Sequence, residues 1–237
     1  MKTSIEGRRA LITGAGSGIG RAVAQRLSEL GCDVVLVGRT GATLNETAAL
    51  CPGITKTVTC DLTDENSILA LVGYIRATGG LDILVNNAGV VQSGPLEGIS
   101  TKEFDAVMAT NVRAPFILMR ETLPLLKASP APEIINVCSV VAHEGYPNQS
   151  AYVASKHALC GLSKSFAKEV FEDGIRVHLI SPGGVLTDMV AKVRPEIVGV
   201  PMIVPEDVAD AAEYLLTHRS DAVCDEIRLH RVTKAPF

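Results

Sequence analysis

The chain has no C-x-x-C pair and no run of histidines to partner its six scattered cysteines, Cys32, Cys51, Cys60, Cys138, Cys160 and Cys224. That excludes the usual zinc and redox spacings and leaves reduced core thiols as the expectation, with no metal ligands and no bridges. No apolar run approaches the roughly 18 residues of a membrane span, and Met1 to Arg9 lack the apolar core of a secretory signal. The last residues match no anchor or address motif, so the sequence reads as that of a soluble cytoplasmic protein with no membrane partner. It also lacks an excess of positive charge. Lys and Arg number 22 against 26 Asp and Glu, a net charge of -4, which argues against a nucleic-acid partner. Internal repeats, low-complexity tracts and linkers are absent as well.

What is present is an ordinary globular composition, 47% hydrophobic and 20% charged, over a length that suits one α/β domain spanning residues 1–237. Short β-branched runs alternate with longer helical patterns. The strand candidates are Ala10 to Thr13, Asp33 to Val37, Thr55 to Cys60, Asp82 to Val85, Glu133 to Cys138, Arg176 to Ile180 and Glu226 to Leu229. Near-continuous apolar strands joined by helices imply a parallel sheet covered on both faces. The expected fold class is therefore α/β, a Rossmann-like, doubly wound, seven-stranded parallel sheet in a single domain.

Directly after the first strand stands Thr13-Gly14-Ala15-Gly16-Ser17-Gly18-Ile19-Gly20, opening a helical pattern that runs through Leu30. Glycines there accept positive φ, let backbone approach a pyrophosphate, and present N–H groups at the positive end of a helix dipole. The strict G-x-G-x-x-G pattern fails, because the sixth position from Gly14 is Ile19. Gly14, Gly18 and Gly20 instead fit a first, fifth and seventh arrangement.

Further along, Tyr152 and Lys156 are four residues apart on a predicted helix and so share one face, with Ser139 thirteen residues upstream of the tyrosine. A tyrosine ordinarily titrates near ~10, and a neighbouring cation favours its phenolate, which makes the pair a candidate proton donor and acceptor. Alone, the spacing is better read as a surface tyrosine packed on a lysine stem.

With both motifs in place the chain resembles the short-chain dehydrogenase/reductase family, whose glycine loop has this wider spacing and whose catalytic signature is Tyr-x-x-x-Lys preceded by Ser. The resemblance runs nearly end to end: Asn86-Asn87-Ala88-Gly89 follow the fourth strand, Asn111 lies within the helical segment 101–127, and Ser181-Pro182-Gly183 follow the sixth. It implies a hydride-transferring oxidoreductase acting on a small carbonyl or secondary alcohol. Tyr152 would be the proton donor, Ser139 a hydrogen-bond donor to the reacting oxygen, and Lys156 the residue that tunes the tyrosine and holds the nicotinamide ribose. Asn111 would position a water linking the lysine to solvent. The cofactor would be held by Gly14, Ser17, Gly18, Ile19, Gly20, Arg39, Asp61, Leu62, Asn87, Ala88, Gly89, Tyr152, Lys156, Pro182, Gly183, Val185 and Thr187. Asp61 is open to a second reading as a cap for the helix that starts near Asp64.

Cofactor choice turns on the residue after the second strand, where a carboxylate would select NAD and an arginine NADP. Gly38-Arg39-Thr40 lacks the acid and offers the guanidinium, so NADP(H) is expected over NAD. The segment from Asp188 to about Val204 would form a short substrate lid. Its apolar residues Met189, Val190, Val193, Ile197, Val198, Val200, Met202 and Ile203, with Lys192 and Arg194 between them, suggest an apolar carbonyl compound. His143 is a substrate-contact candidate with Ser139 and Tyr152, and Glu144, Tyr146 and Asn148 stand beside it. In relatives the helices at 101–127 and 150–172 pair between subunits, implying a homotetramer or homodimer. Two alternatives stay open: a noncatalytic NADP-binding regulatory protein, and a sugar epimerase or dehydratase, for which the chain is short.

Overall fold

The computed structural model describes residues 2–193 and 199–234. Of the lid residues, Arg194, Ile197 and Val198 lie outside the described residues, as do the side chains of Lys192 and Val193. Seven strands form one parallel sheet: β1 (Arg9–Thr13), β2 (Asp33–Gly38), β3 (Thr55–Thr59), β4 (Ile83–Asn86), β5 (Glu133–Val137), β6 (Arg176–Pro182) and β7 (Glu226–Leu229). Their order across the sheet is β3-β2-β1-β4-β5-β6-β7. The chain therefore starts in the middle, winds outward to β3, and returns to β4 on the other side of β1. The crevice at that reversal, beyond the carboxyl ends of β1 and β4, is where open α/β sheets bind ligands.

Among the described residues eight α-helices cover the two faces: α1 (Gly18–Glu29), α2 (Gly41–Leu50), α3 (Glu65–Ala77), α4 (Thr101–Met108), α5 (Ala114–Lys127), α6 (Ser150–Glu169), α7 (Asp188–Val193) and α8 (Pro205–Thr217). Alternation along the strands sorts the core into two layers. Ala10, Ile12, Val34, Leu36, Ile83 and Val85 pack with Val23 and Leu27 of α1 and Val208 and Leu215 of α8. Leu11, Val35, Val37 and Leu84 pack on the opposite face with Ile68, Leu71 and Ile75 of α3 and Ile117 and Leu118 of α5. β3 departs from the apolar expectation. Its sequence, Thr-Lys-Thr-Val-Thr, leaves three of its five residues exposed, as suits an edge strand whose outer side meets water.

Two helices differ from the sequence expectation. Segment 101–127 is not one helix: a π-helical turn, Ala109–Arg113, separates α4 from α5. Pro115 has no N–H to offer the carbonyl of Asn111 four residues earlier, and its ring crowds that carbonyl, so the ladder shifts and the Ala114 N–H bonds the Ala109 carbonyl instead. The other helix, α6, ends at Glu169 rather than at 172, in turns that run to Gly174 at φ +69°. Capping is explicit elsewhere. Asp64 accepts from the N–H groups of Asn66 and Ser67 at the start of α3, and Ser100 and Glu103 form a capping box at α4. No helix among the described residues is long and apolar enough to cross a membrane.

Candidate active site

At the carboxyl edge of the sheet a cleft of about 360 Å³ runs from Arg39 and Asp61 at one end to Ser139, Tyr152 and Lys156 at the other. The glycine loop forms its floor. Gly14 sits at φ +66°, and a Cβ there would stand 2.9 Å from both Ala88 Cα and Asn87 Nδ2, so the loop lies directly on the end of β4. Thr13 fastens the two: its Oγ1 accepts from the N–H groups of Asn87 and Ala88 at 3.0 Å, while Asn87 Nδ2 donates to the Thr13 carbonyl at 2.9 Å. The Ser17 side chain makes no cap on α1, and no acidic residue stands in the first turn. The amino end of that helix thus faces the cleft with N–H groups unclaimed by side chains, which is what a pyrophosphate requires.

Ser17, Gly18 and Ile19 line the cleft, as do Leu62, Asn87, Ala88, Gly89, Pro182, Gly183, Val185 and Thr187. Gly20 lies behind the loop and does not line it. Asp61 is not the α3 cap, a role that belongs to Asp64. Its Oδ1 instead accepts from the N–H and hydroxyl of Thr63 at 2.9 and 2.7 Å. Those two bonds, with a smaller contribution from the charge of Arg39, hold its carboxyl below the usual range. Arg39 itself is exposed and, among the described residues, forms no ion pair.

At the other end, Lys156 is buried and donates to the Val137 carbonyl at 2.9 Å, with Nζ 5.7 Å from the centre of the Tyr152 ring. Ser139, just past β5, is 7% exposed, and its Oγ accepts from the Val141 N–H at 3.3 Å. The serine therefore both caps a short turn and faces the cleft. Among the described residues the Tyr152 hydroxyl makes no hydrogen bond, so it is available to a ligand. Asn111 does not line the cleft. Its Oδ1 accepts from the Val90 N–H at 2.8 Å, and its Nδ2 donates to the Val90 carbonyl at 2.9 Å and to Ser155 Oγ at 3.0 Å. Ser155 in turn donates to the Tyr152 carbonyl at 2.7 Å. Asn111 thus ties the loop after β4 to the helix turn that carries the tyrosine.

A second cavity, of about 220 Å³, adjoins the first through Ser139, Tyr152, Gly183, Met189 and Val190. Glu144, Tyr146 and Gly184 border it. His143 lines neither cavity, contrary to its expected substrate contact. Its Nε2 lies 2.7 Å from Glu226 on β7, a carboxylate that also accepts from Ser181 Oγ at 2.7 Å, so the ring is drawn back against the sheet. Asn148 likewise lines neither cavity and sits in the left-handed region at φ 61°, its carbonyl accepting from the Gly94 N–H. Val185, just before the segment expected to form a lid, and Ile203, near that segment's end, form a parallel bridge.

The structure adds lining residues that the sequence reading did not single out. Thr40 and Thr43 stand beside Arg39, and the signal for them was the Thr-Gly start of α2 directly after that arginine. His230, Arg231 and Lys234 border the second cavity; their signal was a basic cluster just past the last strand.

A sequence model described as short chain dehydrogenase matches residues 8–197. The chain belongs to that family. It is 34% identical over 227 residues to the 3-oxoacyl-[acyl-carrier-protein] reductase of Rickettsia bellii, covering 92% of this chain and 93% of that protein. Among solved structures it is similar to a metagenomic short-chain oxidoreductase in complex with NADP, with TM-score 0.83 and 34% identity over 97% of this chain and 100% of the other. It is also similar to the 3-ketoacyl-(acyl-carrier-protein) reductase of Brucella melitensis complexed with NADH, with TM-score 0.88 and 30% identity over 96% and 97% of the two chains. By family the protein is an oxidoreductase.

Proposed function

We propose that the protein is an NADP(H)-dependent oxidoreductase that interconverts a carbonyl group and a secondary alcohol. The observation that carries this reading is the convergence of Ser139, the unpartnered Tyr152 hydroxyl and buried Lys156 where the dinucleotide-shaped cleft meets the second cavity. The cleft fits the cofactor: a loop that lies directly on backbone, an uncapped helix amino end, and a cation at the far end of β2. When bound, the dinucleotide supplies or accepts the hydride. In the reductive direction Tyr152 donates its phenolic proton to the carbonyl oxygen, and Ser139 donates a hydrogen bond to that oxygen as negative charge develops on it. Lys156 places a positive charge beside the tyrosine ring, and its remaining N–H donors face the cleft where a ribose would lie. Asn111 acts through others, holding the Tyr152 turn and the Val90 loop in register.

Arg39 favours NADP(H) over NAD(H): its exposed fork, with no acid at the end of β2, suits a 2′-phosphate. Residues 1–237 act as one unit, with 188–204 as the lid over the substrate. The exposed Phe104 and Phe116 on α4 and α5 support pairing of these helices in a homodimer or homotetramer. The six free cysteines suit a reducing cytoplasm. The complete proton-transfer set speaks against a noncatalytic cofactor-binding regulator.

The test follows loss of reduced-nicotinamide absorbance across a panel of ketones, oxo acids and acyl-thioester ketones. Tyr152→Phe is expected to lower kcat at least about a thousandfold, the upper range of general acid catalysis, while leaving NADPH affinity nearly unchanged. Full activity in that variant would overturn the assignment.

A further inference from the structure

The second cavity carries a chemical signature that the apolar lid does not suggest. One wall is hydrocarbon: Val91, Val140, Val141, Met189 and Val190. The tail that follows β7 also borders the cavity. Leu229 pairs with Pro182, and its carbonyl accepts from the Gly183 N–H at 2.8 Å, so the next residue passes close to Gly183, where a Cβ would stand 3.8 Å from His230 Cα. Gly183 and Gly184 border the cavity without side chains, and the tail brings His230, Arg231 and Lys234 to its edge.

Among the described residues the charges there do not balance. Lys234 is matched by Glu144 at 2.7 Å, and Glu226 behind the wall is taken by Arg228, His143 and Ser181. Arg231 is half-buried, and the polar contact its guanidinium makes is with Met202 Sδ at 4.0 Å. Among the described residues no carboxylate pairs with it. A partly desolvated guanidinium without a counter-charge is costly to hold, and its planar fork matches a carboxylate with two parallel hydrogen bonds. One unmatched positive charge beside an apolar wall suits a monoanion with a hydrocarbon body.

We propose that Arg231 binds the carboxylate of the substrate, and that the substrate is a small oxo acid whose carbonyl reaches Ser139 and Tyr152 while its chain lies on the valine and methionine wall. This rests on the carbonyl chemistry proposed above and adds the class of compound that enters. His230 sets the tail, its Nδ1 lying 3.1 Å from the Arg231 carbonyl.

The experiment compares matched pairs, 3-oxobutanoate with its methyl ester and 3-oxohexanoate with its ethyl ester, in the wild type, Arg231→Gln and Arg231→Lys. A bidentate charged contact predicts acid-to-ester ratios in kcat/KM of about tenfold to a hundredfold in the wild type, falling to near one in Arg231→Gln and partly kept in Arg231→Lys. A turnover-independent arm titrates butyrate and butyramide into the NADPH complex, read by cofactor fluorescence. Saturable binding of butyrate, weakened about tenfold or more by Arg231→Gln and absent for butyramide, supports the assignment. Turnover of uncharged ketones without preference for either acid, a preference that survives in Arg231→Gln, or a complex indifferent to butyrate would each overturn it. Failure of the carbonyl reading itself looks different: no Tyr152-dependent turnover of any carbonyl compound, acid or ester.

Discussion

At Gly20 a methyl group would stand 2.3 Å from the Gly14 carbonyl oxygen and 2.5 Å from Asn87 Nδ2, closer than atoms approach without moving. The glycine lies behind the loop, yet it sets how closely the loop rests on the end of β4, and therefore where the N–H groups of the α1 amino end point. Gly20→Ala is expected to weaken NADPH binding by about a hundredfold, equal to ~2.7 kcal/mol, with the fold retained by circular dichroism. Unchanged affinity in a fluorescence titration would show that the loop has room to spare. Arg39 lines the same cleft and acts on a different quantity. If its fork receives the 2′-phosphate, Arg39→Ala lowers kcat/KM for NADPH by about tenfold to a hundredfold and leaves NADH within a factor of about three. Equal losses with both cofactors would place the arginine's effect elsewhere.

Between α4 and α5 the chain does something that periodicity does not announce. Residues 101–127 carry one continuous apolar stripe, and the sequence reads as a single helix; the break comes from one missing N–H at Pro115, whose consequence falls four residues earlier at Asn111. The displaced turn lets Asn111 reach Val90 and Ser155 together. Pro115→Ala restores the missing donor and favours a regular ladder, drawing Asn111 away from that bridge. We expect kcat to fall roughly tenfold or more while thermal stability stays equal or rises, since small misplacements near a reacting group are expensive and a regular helix is not. Full activity in this variant would mean that the π turn is incidental to the site. The seven strands, the glycine loop and the Ser-Tyr-Lys set were legible because each is a local pattern: β-branched runs, glycine spacing, a four-residue helical step. Contacts that depend on which elements meet in space were not. His143 looks like a substrate contact until β7 delivers Glu226 beside it, and the basic residues after β7 acquire meaning only because Leu229 pairs with Pro182.

Across the whole molecule, the two edges of the sheet are built to opposite rules. The carboxyl edge leaves polar groups without partners for a ligand to use, whereas the amino edge buries charge inside the protein. Glu133, fully buried at the start of β5, is held by Arg8 at 2.8 Å and Arg219 at 3.3 Å. His178 on the neighbouring strand has Nδ1 2.7 Å from the Cys224 carbonyl, which makes that nitrogen the donor, and Nε2 4.0 Å from Glu133. Burial is the largest influence on this ring and pushes its pKa below the ordinary 6.5; the Cys224 carbonyl and the charges of Glu133 and Asp225 act in the opposite sense, and Arg176 adds to the depression. Because the unfolded chain takes up the proton first, the folded state loses stability as pH falls from 6.5 toward the lower folded value, by at most about 1.4 kcal/mol per pH unit from this one group. Above that window both states are neutral at His178 and the contribution is flat. Glu226 adds to the same trend at lower pH: burial would raise its pKa, but hydrogen bonds from Ser181, Arg228 and His143 prevail and lower it, so its contribution is lost only as pH drops through the carboxylate range. Urea midpoints measured at half-unit steps from pH 8 to 3 should therefore fall in two stages. His178→Gln should remove the first stage and leave the second. A first stage that persists in His178→Gln would assign the loss to another titrating group.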